Sequence, residues 1–408
     1  METKKKKNGN IPNLRFKGFE GEWKKYKISD FLDFFSTNSL SWEQLDYESK
    51  NIYNLHYGLI HKGLPTQIDL NISTLPSIIS EFEPKKYFLC KDGDVSFADA
   101  SEDTNDVAKV VEFYNCGNKK IVCGLHTIHG RDKLKLTVVG FKGYAFSSDV
   151  FRNQMKKLAQ GTKVFSISQK NFNECHIGIP SKEEQIKVSS LLLLIDERIA
   201  TQMKTIESLE SLMCGAREKI FSQKLRFKDK NGDEFPEWNS AYLSDVLIKN
   251  SLKNKDLKYS QVQSVSNKLG FVNQENIFEN RRVASLDTSN YYVIEKGVFA
   301  YNPSRIDVGS LAYKSDDEVS VISPLYISFR ANKNYLVDNY LLNWFSSRDF
   351  IFQMNNSFEG SVRNTLSYDN LSKMIISTPS LPEQQKIADF LSIINRKIET
   401  EKAVLTVA

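Results

Sequence analysis

Long apolar runs are missing from this chain of 408 residues. None approaches the eighteen or so residues a membrane helix needs, and the densest cluster covers only residues 191–195. Four lysines follow Met1-Glu-Thr with no apolar stretch behind them, so the opening reads as a solvated tail and not a secretion signal. A cytoplasmic setting is the expectation. Cysteine is scarce: the five present (Cys90, Cys116, Cys123, Cys175, Cys214) form no regular framework, which points to a reducing compartment. Cys116, Cys123, His126 and His129 fall close together, but the six-residue and two-residue gaps between like residues fit no common zinc-finger spacing. The expectation there is a partly buried strand over residues 120–129 and no metal.

Catalytic signatures are also absent. There is no Gly-x-Gly-x-x-Gly loop, no Gly-x-x-x-x-Gly-Lys-[Ser/Thr] cradle and no amino-methyltransferase element, since Asn302-Pro303-Ser304 lacks the second proline and the aromatic. Five scattered histidines offer no acid–base pair. The lone chain is therefore expected to do no chemistry. Its net charge of +5 is mildly basic, so nucleic-acid binding would need that charge gathered on one face. A hydrophobic share of 40% with 26% charged residues suits an elongated protein of two or three domains.

What the chain does have is a repeat, which has to be found before folds are assigned. Pro180-Ser-Lys-Glu-Glu-Gln-Ile-Lys-Val returns 199 residues later as Pro379-Ser-Leu-Pro-Glu-Gln-Gln-Lys-Ile. From there Val188, Leu192, Ile195, Ile199, Gln202, Ile206, Leu209, Met213, Ala216 and Ile220 fall at heptad spacing, nine of the ten apolar. That spacing predicts one long helix over residues 181–221 with a coiled-coil seam. The second copy carries Ile387, Leu391, Ile394, Ile398, Glu401 and Leu405. Its Glu401 coincides with the single polar position, Gln202; a polar residue in a seam costs stability but fixes register. Upstream, Leu14-Arg-Phe-Lys, Trp23 and Ile28-Ser-Asp30 recur as Leu225-Arg-Phe-Lys, Trp238 and Leu243-Ser-Asp245.

Between these landmarks, residues 109–114, 134–139, 291–294, 297–301 and 319–323 read as strands. Residues 146–160 and 336–356 read as helices, halted near Gly161 and Gly360. The reading is α+β: a tail over 1–13, a module over 14–180, a central helix over 181–224, a second module over 225–379 and a distal helix over 380–408. A rod of roughly 39 residues measures about 58 Å. A chain running up one rod and back down the other would pair them antiparallel, with the modules at opposite ends about a pseudo-two-fold axis. Such an object suits two separated half-sites on DNA. The second rod is about three turns shorter by the helical pitch, so Val188, Leu192 and Ile195 are expected to be under-covered.

These features resemble the specificity (S) subunits of type I restriction–modification systems. The resemblance is carried by the doubled Arg-Phe…Trp opening, Phe97-Ala-Asp-Ala-Ser-Glu-Asp-Thr-Asn-Asp-Val-Ala-Lys-Val-Val-Glu112, Tyr301-Asn-Pro-Ser-Arg-Ile-Asp-Val-Gly309 and the Pro-x-x-x-Glu-Gln helix starts. It covers nearly the whole chain. It implies two tandem pseudo-symmetric α/β DNA-recognition domains, each reading half of a bipartite asymmetric site in double-stranded DNA. Two long antiparallel coiled-coil helices would separate them and dock two methyltransferase (M) subunits, with restriction (R) subunits joining that core. S-adenosylmethionine, ATP and Mg would belong to those partners and no cofactor to this chain. A duplicated, non-catalytic scaffold that does not read DNA is the alternative.

Base and phosphate contacts should come from loops that the repeat doubles. Ser101 and Glu102 stand roughly where Ser304 and Arg305 do, just after a strand in each module. Thr162 and Lys163, and likewise Ser361 and Arg363, follow a glycine, where hydroxyls, amides and a cation suit phosphate. A second, basic set comprises Lys85, Lys86, Arg131, Lys133 and Lys135 in the first module and Arg281, Arg282 and Lys314 in the second. Tyr301 and Tyr313 could stack on bases or touch thymine methyls, but core packing is the expectation.

Overall fold

Forty consecutive residues, Lys182–Phe221, form one helix, as the heptads predict. This computed structural model describes residues 11–267, 269–274, 287–359 and 364–407. The chain divides within the long helix, after Ala200, into two compact units. Among the described residues no helix is long and apolar enough to cross a membrane.

The first unit holds two main sheets. One has five strands in the order Leu32–Phe35, Thr127–Asp132, Val95–Ala98, Val110–Tyr114 and Gln67–Asp69; the other has four, Ile121–Cys123, Tyr53–Leu55, Ser77–Ile78 and Leu45–Asp46. Under the larger sheet Phe97, Phe146, Phe151 and Phe172 meet mostly edge to face, a geometry that suits the ring quadrupoles. The second unit repeats the plan. Leu247–Lys249, Ile327–Ala331, Val298–Tyr301 and Leu311–Tyr313 form one sheet, and Gly270–Asn273, Val262–Ser266, Ser320–Ile322 and Tyr292–Ile294 the other. Phe299, Phe329, Phe345 and Phe350 pack in its core.

In each unit the repeated opening is latched onto the start of a long helix. Glu184, 2% exposed, accepts from Arg15 Nε at 2.7 Å and Nη2 at 2.8 Å and from Trp23 Nε1 at 3.2 Å. Glu383, fully buried, takes the same donors from Arg226 (3.3 and 3.1 Å) and Trp238 (3.1 Å). The next residue is a clamp. Gln185 accepts from Val138 N–H and donates to Leu136 and Pro180 carbonyls. Gln384 does so with Val337, Tyr335 and Pro379. A buried carboxylate needs a cation and full hydrogen bonding to be tolerable, which explains why Arg, Trp, Glu and Gln recur together.

In the second unit the seam is closed. Gln202, Ile206, Met213, Ala216 and Ile220 are buried, as are Ile387, Leu391, Ile394 and Ile398 of the distal helix Leu381–Val407. Gln202 Nε2 donates to the Glu401 carbonyl at 3.0 Å and to its carboxylate. Just past the end of the long helix, Phe227 meets Phe390 and Arg226 meets Glu383. As one chain advances the other retreats, so these segments are antiparallel. Leu209, Glu401 and Leu405 are half-buried at the seam's margin. On the part of the long helix that belongs to the first unit, Val188 and Leu192 are half-buried, while Ile195 is 44% and Ile199 36% exposed.

Three local expectations fail. Residues 134–139 form no strand, because Asp132 caps the Leu134 and Thr137 amides and Gln185 takes the Leu136 and Val138 backbone groups. Residues 120–129 form two strands in different sheets, parted by a turn in which His126 is left-handed (φ 54°). Residues 146–160 and 336–356 are each a helix pair, broken where Ser148 caps the Phe151 amide and Ser347 the Phe350 amide.

Candidate nucleic-acid interface

The two doubled loops of the first unit lie side by side. Strand Phe165–Ser166 pairs with Ala100–Ser101, Phe165 opposite Ser101, and the Ile167 amide donates to Asp99 O at 2.8 Å. This puts exposed Glu102 in the neighbourhood of exposed Thr162 and Lys163. Gly161 makes the turn at φ 135°, where an added Cβ would fall 1.9 Å from the Val164 carbonyl. Ser101 is buried and caps the Asp103 amide, so it shapes the loop rather than presenting a hydroxyl.

The second unit has the same juxtaposition. The Leu366 amide donates to Pro303 O at 3.0 Å, and Tyr301 Oη donates to Leu366 O at 3.1 Å. Ser304 and Arg305 are exposed in the loop so held. Because Asp99 and Pro303 accept equivalent amides, Ser101 stands level with Arg305, one step from the register read in the sequence. Ser361, Arg363, Arg281 and Arg282 lie outside the described residues. Tyr301 is a core residue as expected, and Tyr313 is half-buried against the same core and bonded to Asp338 at 2.8 Å.

The basic set does not gather there. Lys314 is 1% exposed, its ammonium held by Gln263 at 3.1 Å and Asp316 at 2.8 Å, so it cannot reach a phosphate. Arg131 forks onto Asp94 through Nε and Nη2 and lies over the Phe35 ring. Strand Thr127–Asp132 starts beside Ala98 and ends beside Leu32. Lys133 and Lys135 follow that far end, about 20 Å from the loops by strand rise, and Lys133 is bonded to the Ser29 carbonyl. Lys85 and Lys86 are exposed.

The structure adds residues that motif reading missed. His61 Nε2 contacts Ala100 O at 2.8 Å, His126 pairs with Asp99 at 3.1 Å, and Tyr57 meets both rings edge-on. Exposed Lys156 and Lys157 close helix Asp149–Leu158, which leads into the Gly161 loop. Only the lysine pair left a sequence signal, a cation run next to a glycine stop. The first unit thus offers cations, hydroxyls and aromatic faces on one rim, a mixture suited to phosphate and base-edge contacts.

Residues 219–407 match the family described as Type I restriction modification DNA specificity domain. A curated relative, the Type I restriction enzyme MjaVIII specificity subunit of Methanocaldococcus jannaschii, is 25% identical over 268 residues. That match takes in 61% of this chain and 62% of the relative, so the chain spans less than two thirds of the relative's length. Among solved structures, the S subunit of a type I restriction–modification system from M. genitalium has a TM-score of 0.58 at 16% identity, covering 97% of this chain and 95% of that one. A chain from a structure of type I complex assembly and conformational transition gives 0.53 at 15%, covering 97% of both. At such identities the structural likeness is one of fold. The resemblance read from the repeated motifs agrees with the family match and the curated relative, and the solved structures share its fold.

Proposed function

We propose, from the match of residues 219–407 to the type I restriction modification DNA specificity domain family, that this chain is the DNA-reading specificity subunit of a type I restriction–modification complex. Each unit reads one half of a bipartite, asymmetric site in double-stranded DNA. The target-recognition domains are residues 14–180 and 225–379; the long helices dock two methyltransferase subunits, and restriction subunits join through them. The chain is non-catalytic, and S-adenosylmethionine, ATP and Mg belong to its partner subunits.

One observation supports this reading above others. In both units the stretch after a central strand is joined to the stretch leading back to the long helix through the same amide-to-carbonyl bond, Ile167 to Asp99 in the first and Leu366 to Pro303 in the second. A scaffold that merely bridged proteins would not need two such rims. The test is to co-express the chain with candidate methyltransferase subunits and map methylated bases across the host genome. A single split motif is expected. An assembled complex that methylates without any motif supports the scaffold, and methylation by the lone chain overturns the non-catalytic assignment.

A further inference from the structure

We propose that Cys90, Cys123 and His129 form a zinc-binding site that ties together the two main sheets of the first unit. Their ligand atoms all lie within 4.8 Å of one another, and all three side chains are buried. The two sulfurs are 3.5 Å apart. Tetrahedral zinc with bonds of about 2.3 Å to sulfur and 2.0–2.1 Å to nitrogen needs its donors about 3.6–3.8 Å apart. The thiols are within a few tenths of an ångström of that spacing, and a side-chain adjustment of about 1 Å completes the set.

The imidazole is presented as a ligand. His129 Nε2 is bonded to Asp94 Oδ2 at 2.8 Å, and Asp94 is in turn fixed by the Arg131 fork. Nδ1, the other ring nitrogen, is buried and has no hydrogen-bond partner. A carboxylate behind one ring nitrogen with the other left open is the usual support of a metal-bound histidine. Ser96 stands directly across from His129 on the neighbouring strand; its buried hydroxyl has no nitrogen or oxygen partner and is available for the fourth position.

Charge favours this occupant. Zinc exchanges for two thiol protons, giving a neutral dithiolate centre beside the neutral Asp94–Arg131 pair, so no net charge is buried. The ligands also span the fold: Cys123 belongs to the four-stranded sheet and His129 to the five-stranded one. Cys90 lies along the first of these, donating its amide to Ile121 O at 2.8 Å. The second unit's sheet residues include no cysteine. There buried Lys314 bonds to Gln263, and Gln263 to Ser320, linking that unit's two sheets with polar side chains instead.

The proposed set differs from the grouping of cysteines and histidines that fall close together in the sequence, whose spacing predicts no metal. Cys116 and His126 leave it, drawn to Asp92 and Asp99 respectively, and Cys90 enters from 33 residues before Cys123.

The test uses the full chain, purified under reductant and dialysed against metal-free buffer. About one zinc per chain is expected by elemental analysis, and cobalt(II) replacing it should show thiolate charge-transfer and tetrahedral d–d bands. Cys123→Ser and His129→Ala should lose the metal while keeping their circular dichroism; Cys116→Ser and Cys214→Ser should retain it. Wild-type protein without zinc and without cobalt bands overturns the proposal even if a variant fails to fold. So does equal retention by Cys123→Ser, or loss of two titratable thiols to a metal-free disulfide.

Discussion

Gln185 and Gln384 each satisfy one backbone amide and two carbonyls that no secondary structure reaches. Replacing Gln384 by Leu keeps the volume but orphans buried groups, so it should destabilise the chain by about 2–4 kcal/mol in a urea titration. The neighbouring carboxylate gives a pH signature. The Arg15 guanidinium beside Glu184 holds its carboxyl below the usual carboxylate range. A depressed folded value means the contribution is complete above the unfolded value, about 4.3, and lost as pH falls through the folded one. Glu184→Gln should remove that acid-side loss, read as a flatter melting temperature between pH 5 and 3. The repetition of Glu-Gln was plain in the sequence, but its purpose was not. Its partners sit up to 169 residues away, and nothing in local pattern announces that Arg15 and Trp23 converge on one carboxylate.

The long helices show both what periodicity reveals and where it stops. Heptads identified the buried seam of the second unit and marked Gln202 and Glu401 as equivalent polar positions of the two copies; that they bond to each other emerges only from the structure. They could not say how far the seam is covered, because coverage depends on a neighbour and not on the pattern. Leu391→Ala, at a fully buried site, should cost about 2–5 kcal/mol, whereas Ile195→Ala, at a site 44% exposed, should cost under about 1 kcal/mol by the same urea titration. Equal losses would mean the upper seam is packed as tightly as the lower. Strand reading failed over residues 134–139 for a related reason: the alternation was right for a ladder, but side chains had already claimed the backbone.

At the scale of the whole chain, duplication was the most legible property and the candidate rim the least. The repeat placed Thr162 and Lys163 correctly in a loop, while Lys314 and Arg131 turned out to serve internal pairing, since a lysine or arginine codon says nothing of which way its side chain is pulled. Lys163→Ala should weaken DNA binding about equally across sequences and lower the salt slope by roughly one unit, measured by titration at several salt concentrations. The central claim is that the two units read separate half-sites. Its most direct test is a methylated-base map for the assembled complex carrying Ser304→Ala and Arg305→Ala. The account predicts that one half of the split motif relaxes while the other half and the spacer stay unchanged. Relaxation of both halves together, or an unsplit motif in the parent complex, would contradict it.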